Sequence, residues 1–445
     1  MLDIYNHLKN QYQNKKVLIV GLGLQGGGVG LAKFFSEIGA KVIVNDKKTE
    51  DQLRLSIDKL VNYNVEFHLG GHYLEDFLSA DVIFKGPSVL WTIPEILEAE
   101  KKGIPIEMEL SFFAKNFPGR VIGITGTRGK STTTNMIFYL LKKSDFSVFL
   151  TGGLPGISTI NYLKTLKKDD WVVMELSSWA LSGFHKKKIS PHIAVFTSFY
   201  PDHLNYYRSI DEYFYDKQAI FLYQKPMDYL IINKSIFFET KPKSQVFIYD
   251  KNNFLGSLRY LRGDHNLENA AATLKVGEIL GIDKKKAIEI INDFPGIPYR
   301  QQVIGKKNNL IFVNDTTSTT PTATIKAINS FYWDYEIVLF LGGNSKNLPF
   351  DELINQLKKV KKIVLLAGSF TDEILSKVKK YQDRLSPKIY DNLEEAVLYG
   401  YNQAKKIKNK KPICLLFSPG ATSFAMFNNE FHRGDEFNRV VKKII

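Results

Sequence analysis

The segment Val121 to Thr134, VIGITGTRGKSTTT, constrains the fold more than any other stretch of the chain. An apolar strand runs into a turn carrying Gly123, Gly126 and Gly129, and the residues after the turn read as a helix. Such a strand, turn and helix belong in an α/β fold with a parallel sheet, whose ligands gather at the strand ends. Backbone N–H groups and the helix N-terminus would cradle phosphates, Lys130 would reach their oxygens, and the Ser131 hydroxyl would face Mg²⁺. The candidate ATP contacts are therefore Gly126, Thr127, Arg128, Gly129, Lys130, Ser131 and Thr132. The spacing is a variant of GxxxxGK[ST], because Ile124 stands where the first glycine would be.

A second glycine turn, GLGLQGGG from Gly21 to Gly28, follows the strand-like KVLIV, and Asp46 ends the next strand. Glycines for close backbone approach and an acid for a ribose resemble a dinucleotide fingerprint. With a separate phosphate loop downstream, this turn reads as the seat of a nucleotide-containing substrate rather than of a hydride carrier.

Strand and helix patterns alternate along the whole chain, which divides into three α/β segments. The first, 1–117, is Rossmann-like and includes DVIFKGP and IPIEMEL as further strands. Pro118 and Gly119 punctuate its end. A central segment, 118–297, carries WVVMEL, HIAVFTSF, YLIIN, QVFIYD and a long helix around His265 to Leu280. The last, 298–445, is again Rossmann-like, with LIFVND, EIVLFLGG, KIVLLAG and ICLLFSP as strands.

The formal charge of +14 raises the question of nucleic acid, but the lysines fall in short helical runs such as Lys284 to Lys286, which read as solvated faces. No nucleic-acid partner is expected. Apolar runs are far shorter than the roughly 18 residues a membrane helix needs, and the start of the chain lacks a signal-peptide core. A cytoplasmic protein without membrane insertion is the expectation. The single cysteine, Cys414, lies in the apolar run ICLLF and reads as a buried small hydrophobe.

Glu175 ends the strand in VVMELSSW, and Asp202 and His203 end the next one in FTSFYPDHL, so a carboxylate and an imidazole could hold Mg²⁺ beside the phosphate loop. Lys217, read from the residues alone, is a helical surface lysine. Asn266 and Asn269, three apart on one helix face, suit amide recognition of a base or a helix cap. Arg300 follows a domain joint and Asp315 ends a strand, and both suit an ATP site closed by the last domain. SPGATSFAMF, after the last strand, suits the carboxylate of an amino acid.

The combination resembles the Mur ligases over nearly the whole chain. GLGLQGGG, GITGTRGKSTTT, ELSSW, DHL with a lysine downstream, HNLEN, NDTTSTT, GGNSK, SPGATSF and RGDEF occur in that family's order and approximate spacing. The resemblance implies an ADP-forming acid–amino-acid ligase of peptidoglycan synthesis, acting as a monomer. ATP would phosphorylate the L-alanyl carboxylate of UDP-N-acetylmuramoyl-L-alanine, and the amine of D-glutamate would attack the acyl phosphate. It further implies that Ser131 and Glu175 bind one Mg²⁺, and His203 with a carbamylated Lys217 the other. Lys130, Glu175, His203 and Lys217 would be catalytic, and Asn266, Asn269, Arg300 and Asp315 would contact ATP. Asp46 and the Leu24–Gln25 turn would hold the UDP end; Lys346, Ser423 and the Phe424 N–H would hold glutamate.

Departures from the family pattern fall mainly around the amino acid. Thr317 replaces a usual lysine, so Arg433 or a pocket lysine would have to supply the missing charge, or L-glutamate becomes a possible substrate. Leu154 replaces an asparagine, Gly86 and Ser88 exchange places, and Phe431 is one position from the common aromatic. Three other readings compete: a dehydrogenase, which the second phosphate loop disfavours; a folylpolyglutamate synthase, which would lack a full domain before Gly123; and a silent nucleotide-binding partner, which Lys130, Glu175, His203 and Lys217 disfavour.

Overall fold

The computed structural model describes residues 4–23, 26–153, 158–202, 206–236, 240–261, 263–408, 411–423 and 426–445. Three sheets form in chain order. The first holds β1 (Lys16–Val20), β2 (Lys41–Asp46), β3 (Val65–Leu69), β4 (Val82–Lys85) and β5 (Ile106–Glu107), all parallel, in the order β3-β2-β1-β4-β5. The order reverses between β1 and β4, and such reversals open a crevice at the strands' carboxyl ends.

The second sheet holds β6 (Arg120–Thr125), β7 (Val148–Gly152), β8 (Trp171–Glu175), β9 (Ile193–Phe196), β10 (Tyr229–Asn233) and β11 (Gln245–Tyr249) in the order β11-β10-β9-β6-β8-β7. It too is parallel throughout. β6, buried from Val121 to Thr125 and flanked by β8 and β9, is central, so the phosphate loop leaves the best-anchored strand of its sheet. The third sheet holds β12 (Gln302–Lys307), β13 (Leu310–Asn314), β14 (Glu336–Gly342), β15 (Val360–Leu366) and β16 (Ile413–Phe417), in the order β12-β13-β16-β14-β15. Only β12 is antiparallel, at the edge.

Residues 1–256 with 263–291 form one compact unit, and 257–262 with 292–445 form another. In the first unit one apolar core runs from Phe34, Phe35, Phe84 and Phe112 to Leu181, Phe184 and Phe196, so the first two sheets share an interior, while Leu18, Val20, Ile43, Phe77 and Ile83 form a separate core on the other face of the first sheet. Gly30 shows how close they come, since a Cβ there would sit 1.8 Å from Ser158 Oγ.

Three expectations change. IPIEMEL contributes only the two-residue β5, because Glu109 already opens the helix Glu109–Asn116. β9 stops at Phe196, so Asp202 lies in the segment beyond the strand rather than at its end. Lys217 is on a helix, Ile210–Gln218, but is 1 % exposed and not a surface residue.

Candidate active site

The loop after β6 is held by its neighbours on both sides. Gly126 (φ 151°) and Gly129 (φ 84°) take backbone conformations that disfavour a side chain. A Cβ on Gly126 would meet Thr197 Oγ1 at 2.1 Å, and one on Gly129 would meet Asn269 Oδ1 at 2.7 Å. The Thr127 N–H donates to Ser198 O (2.8 Å) and the Arg128 N–H to Ser198 Oγ (2.9 Å), so the exit of β9 pins the front of the loop. These two N–H groups are thus already engaged. The amides that open the helix Lys130–Lys143 lack intrahelical acceptors and are the ones left for a phosphate.

Lys130 folds back over this loop, donating from Nζ to Gly126 O (2.9 Å) and Thr127 O (3.1 Å). Burial lowers its pKa, against the attraction of Glu175 and Asp202. Ser131 Oγ donates to Glu175 Oε1 at 3.1 Å, which brings the loop hydroxyl and the carboxylate at the end of β8 together. Asn269, on the helix Asp264–Ile279, accepts at Oδ1 from Thr133 Oγ1 (3.1 Å) and donates from Nδ2 to Asn266 Oδ1 (3.2 Å). The asparagine pair therefore braces the helix behind the phosphate loop.

Lys217 Nζ donates to Thr125 Oγ1 (3.3 Å) and Gly126 O (3.0 Å) and lies 4.8 Å from the centre of the Tyr213 ring. Burial first, and then Lys130, push its pKa well below the usual lysine range. An amine so placed is readily neutral and nucleophilic. Next to it, Asp216 is raised to about 6 by burial and accepts from Tyr207 Oη at 3.0 Å.

Lys85, at the end of β4, is a second buried lysine, with a pKa lowered to about 7 by desolvation. Its Nζ lies 4.5 Å from the centre of the Trp91 ring, while Lys186 Nζ lies 4.9 Å from it. Trp91 Nε1 donates to Ser182 Oγ (2.8 Å) on the helix Ser178–Lys187. Lys85, Tyr213 and Asp216 are not legible in the sequence as site residues, and neither are the hydroxyls Thr125, Thr197 and Ser198. The run of hydroxyls leaving β9 is the one signal that could have found the last two.

In the first sheet, Asp46 Oδ1 accepts from the Lys48 N–H (2.9 Å) and Oδ2 from the Gly23 N–H (3.4 Å), so the acid secures the glycine turn. Leu24 and Gln25 lie outside the described residues, as do Leu154, His203 and Phe424.

The second compact unit gathers its own candidates. Asp315 follows β13, is 1 % exposed, and accepts from Gln301 N (3.0 Å), Ser318 Oγ (2.6 Å) and Ser418 Oγ (2.7 Å). Burial raises its pKa to about 6. Arg300 is exposed beside it. Lys346 is exposed and donates to Thr319 Oγ1 at 2.9 Å, and Ser423 is buried.

Thr317 spends its hydroxyl on Tyr299 O at 2.8 Å. Arg433 does not replace the missing lysine: it is 1 % exposed and donates to Thr316 Oγ1 (3.0 Å), Thr316 O (2.8 Å) and Ala421 O (3.1 Å). Its charge is committed to clamping NDTTSTT to SPGATSF.

A Mur ligase middle-domain model matches residues 124–259, and a model of the MurD-like N-terminal domain of Mur ligases matches residues 15–107. The chain is 33 % identical to the UDP-N-acetylmuramoylalanine–D-glutamate ligase of Roseiflexus sp., over 97 % of this chain and 99 % of that protein. It is 31 % identical to the ligase of the same name from Clostridium tetani, over 99 % of both. Among solved structures, the UDP-N-acetylmuramate–alanine ligase MurC of Thermotoga maritima shares its fold with a TM-score of 0.53 at 18 % identity, over 97 % of this chain and 100 % of that one. MurF of Acinetobacter baumannii does so with a TM-score of 0.54 at 13 % identity, over 98 % and 92 %. Similarity to one kind of enzyme sustained from end to end cannot come from a borrowed domain, and so the chain belongs to the D-glutamate-adding branch of the Mur ligase family.

Proposed function

We propose that the protein adds D-glutamate to UDP-N-acetylmuramoyl-L-alanine in peptidoglycan precursor synthesis, with ATP cleaved to ADP and phosphate. The observation that carries this reading is the anion cradle after β6, with Lys130, Ser131 and Glu175 together, in a chain that matches D-glutamate ligases along its length. We assign the UDP end to the first sheet, ATP to residues 126–132 with Asn266, Asn269, Arg300 and Asp315, and glutamate to Lys346, Ser423 and Phe424. The divisions at 117/118 and 297/298 are the domain borders of this reading. The protein is read as a cytoplasmic monomer; no helix among the described residues is long and apolar enough to cross a membrane.

The substrate carboxylate attacks the γ-phosphorus of ATP, ADP leaves, and an acyl phosphate forms. The glutamate amine then attacks the acyl carbon, loses a proton, and expels phosphate as the amide bond closes. Lys130 leaves its two loop carbonyls to meet the transferring phosphoryl group, and the free amides of the helix start hold the phosphate chain.

Mg²⁺ fits the donors present. Ser131 and Glu175 offer adjacent oxygens, which suit a hard cation that keeps several waters and takes phosphate oxygens for the rest. Among the described residues no group of three histidine, cysteine, aspartate or glutamate side chains could hold a metal; we assign the further ligands to phosphate, to His203 and to a modified Lys217. Lys217 suits that modification: its neutral amine attacks the carbon of CO₂, loses a proton, and becomes an anionic carbamate. Mg²⁺, when bound, would neutralise charge on the phosphates.

The test is ADP release measured with UDP-N-acetylmuramoyl-L-alanine, Mg²⁺ and each glutamate enantiomer in turn. ADP should require the acceptor, and continued turnover should require D-glutamate. Equal release without acceptor would overturn the coupled mechanism, and turnover with L-glutamate alone would overturn the choice of enantiomer.

A further inference from the structure

We propose that His72 recognises the ribose of the UDP end, its ring locked by Asn45 and Asp76 so that Nε2 offers a lone pair beside Asp46. This rests on the assignment of the UDP end to the first sheet.

A buried carboxylate sets the orientation of the groups around it. Asp76, on the helix Leu74–Ser79, is 7 % exposed and accepts from Asn45 Nδ2 at 3.0 Å and from His68 Nδ1 at 2.8 Å. A carboxylate offers only acceptors here, so the amide of Asn45 has to turn its NH₂ toward Asp76. Asn45 is fully buried, with no freedom to flip. Its Oδ1 therefore faces the ring of His72, at 2.6 Å from Nδ1. An amide oxygen can only accept, so Nδ1 carries the hydrogen and Nε2 of the neutral ring is left as an acceptor.

The place of this lone pair gives its purpose. Asn45 and Asp46 end β2, and His72 leaves the loop after β3 and packs edge-on against Phe77. The charged groups facing its ring are Lys47 and Asp46 from the end of β2 and Glu95 from the helix Pro94–Lys101, which follows β4. His72 thus stands over the end of β2, at the carboxyl edge of the sheet, where ligands of such sheets gather. Burial and Lys47 lower its pKa, which favours the neutral, accepting form. The acid at the end of β2 takes ribose hydroxyls in folds of this kind. A ribose has two vicinal hydroxyl donors, and Asp46 together with His72 Nε2 supplies two neighbouring acceptors.

The test is calorimetric titration of UDP, 2′-deoxy-UDP and 3′-deoxy-UDP into the wild-type protein, His72→Ala and His72→Gln, with ADP binding as a check on the phosphate loop. The wild type should prefer UDP to at least one deoxy analogue. His72→Ala should lose about five- to tenfold in UDP affinity, as one hydrogen bond is lost, and lose that preference with it. His72→Gln, which keeps an acceptor, should retain most of both, and ADP binding should not change. Unchanged UDP affinity in His72→Ala, or an equal fall for UDP and both deoxy analogues, overturns the proposal. A long-range ¹H–¹⁵N spectrum of the wild type should show the hydrogen on Nδ1; a hydrogen on Nε2 overturns it without any variant. A wild type that fails to bind UDP overturns the assignment of the first sheet, and this inference falls with it.

Discussion

The loop after β6 and the loops after β13 and β16 both lie at the carboxyl edge of a sheet, but they are built in different ways. Around Gly126 and Gly129 the backbone itself makes the cradle: two glycines allow close approach, Ser198 pins two N–H groups, and Lys130 and Lys217 are drawn against loop carbonyls. In the third sheet the backbone is clamped from beneath, by Asp315 and Arg433, whose charges are buried and used in scaffolding. What remain exposed there are side chains, Arg300 and Lys346. On the assignment proposed above, phosphate chemistry would rest on a surface prepared by the fold, and the choice of amino acid on a few side chains. Substitutions in the first region should damage the rate, and those in the second should move substrate requirements.

The largest effect is expected at Lys217. Lys217→Ala should leave no measurable ADP release, and Lys217→Arg should not restore it, because a guanidinium does not form the carbamate. Turnover near wild type in the arginine variant would return Lys217 to a packing role. Lys130→Ala comes next, with kcat falling about 10²–10³-fold, the loss of a single charge-directed contact of roughly 3–4 kcal/mol. Lys346→Ala should raise the glutamate KM about tenfold while acceptor-dependent phosphorylation persists, and an unchanged KM would remove Lys346 from the pocket.

A fourth prediction concerns pH. The Lys85 pKa falls to about 7 in the folded chain from an ordinary 10.5. Between those values the unfolded chain carries the extra proton, so stability rises with pH by about 1.4 kcal/mol per pH unit from this lysine. Lys85→Met should flatten the urea-midpoint profile between pH 8 and 9.5 by that slope; an unaltered profile would mean that Lys85 stays charged. The smallest effect belongs to Thr317→Lys. Returning a lysine to this position should lower the D-glutamate KM by a few fold, because a charge-assisted bond is roughly twice as strong as a neutral one. An unchanged KM would show that the Thr317 hydroxyl, bonded to Tyr299 O, already marks a wall of the pocket rather than a missing contact.

The same contrast governed what could be read from the sequence. Gly126, Gly129, Lys130 and Ser131 were legible because a backbone cradle needs those residue types at that spacing. The strands of all three sheets were mostly legible as well, because strands buried on both faces read as continuous apolar runs. β7 was not legible, since VFLTG has a half-exposed start and only its last two residues are buried. Nor was the burial of Lys217, which depends on Tyr213 and on the loop carbonyls of a distant strand. His72 and Asn45 were silent for the same reason: their meaning lies in a chain of hydrogen bonds that crosses three elements.

The brace between Thr133 and Asn269 spans 136 residues of chain. A ribosome adding about 5–20 residues per second needs roughly 7–27 s to deliver the second after the first. For that interval the nascent phosphate loop has its glycines and its lysine but not the helix that backs them. The part of the enzyme most fully prepared for ATP in the finished protein is therefore completed only well after its own motif has been made, and a nascent chain halted before Asn269 should bind nucleotide poorly even with its whole glycine motif exposed beyond the exit tunnel.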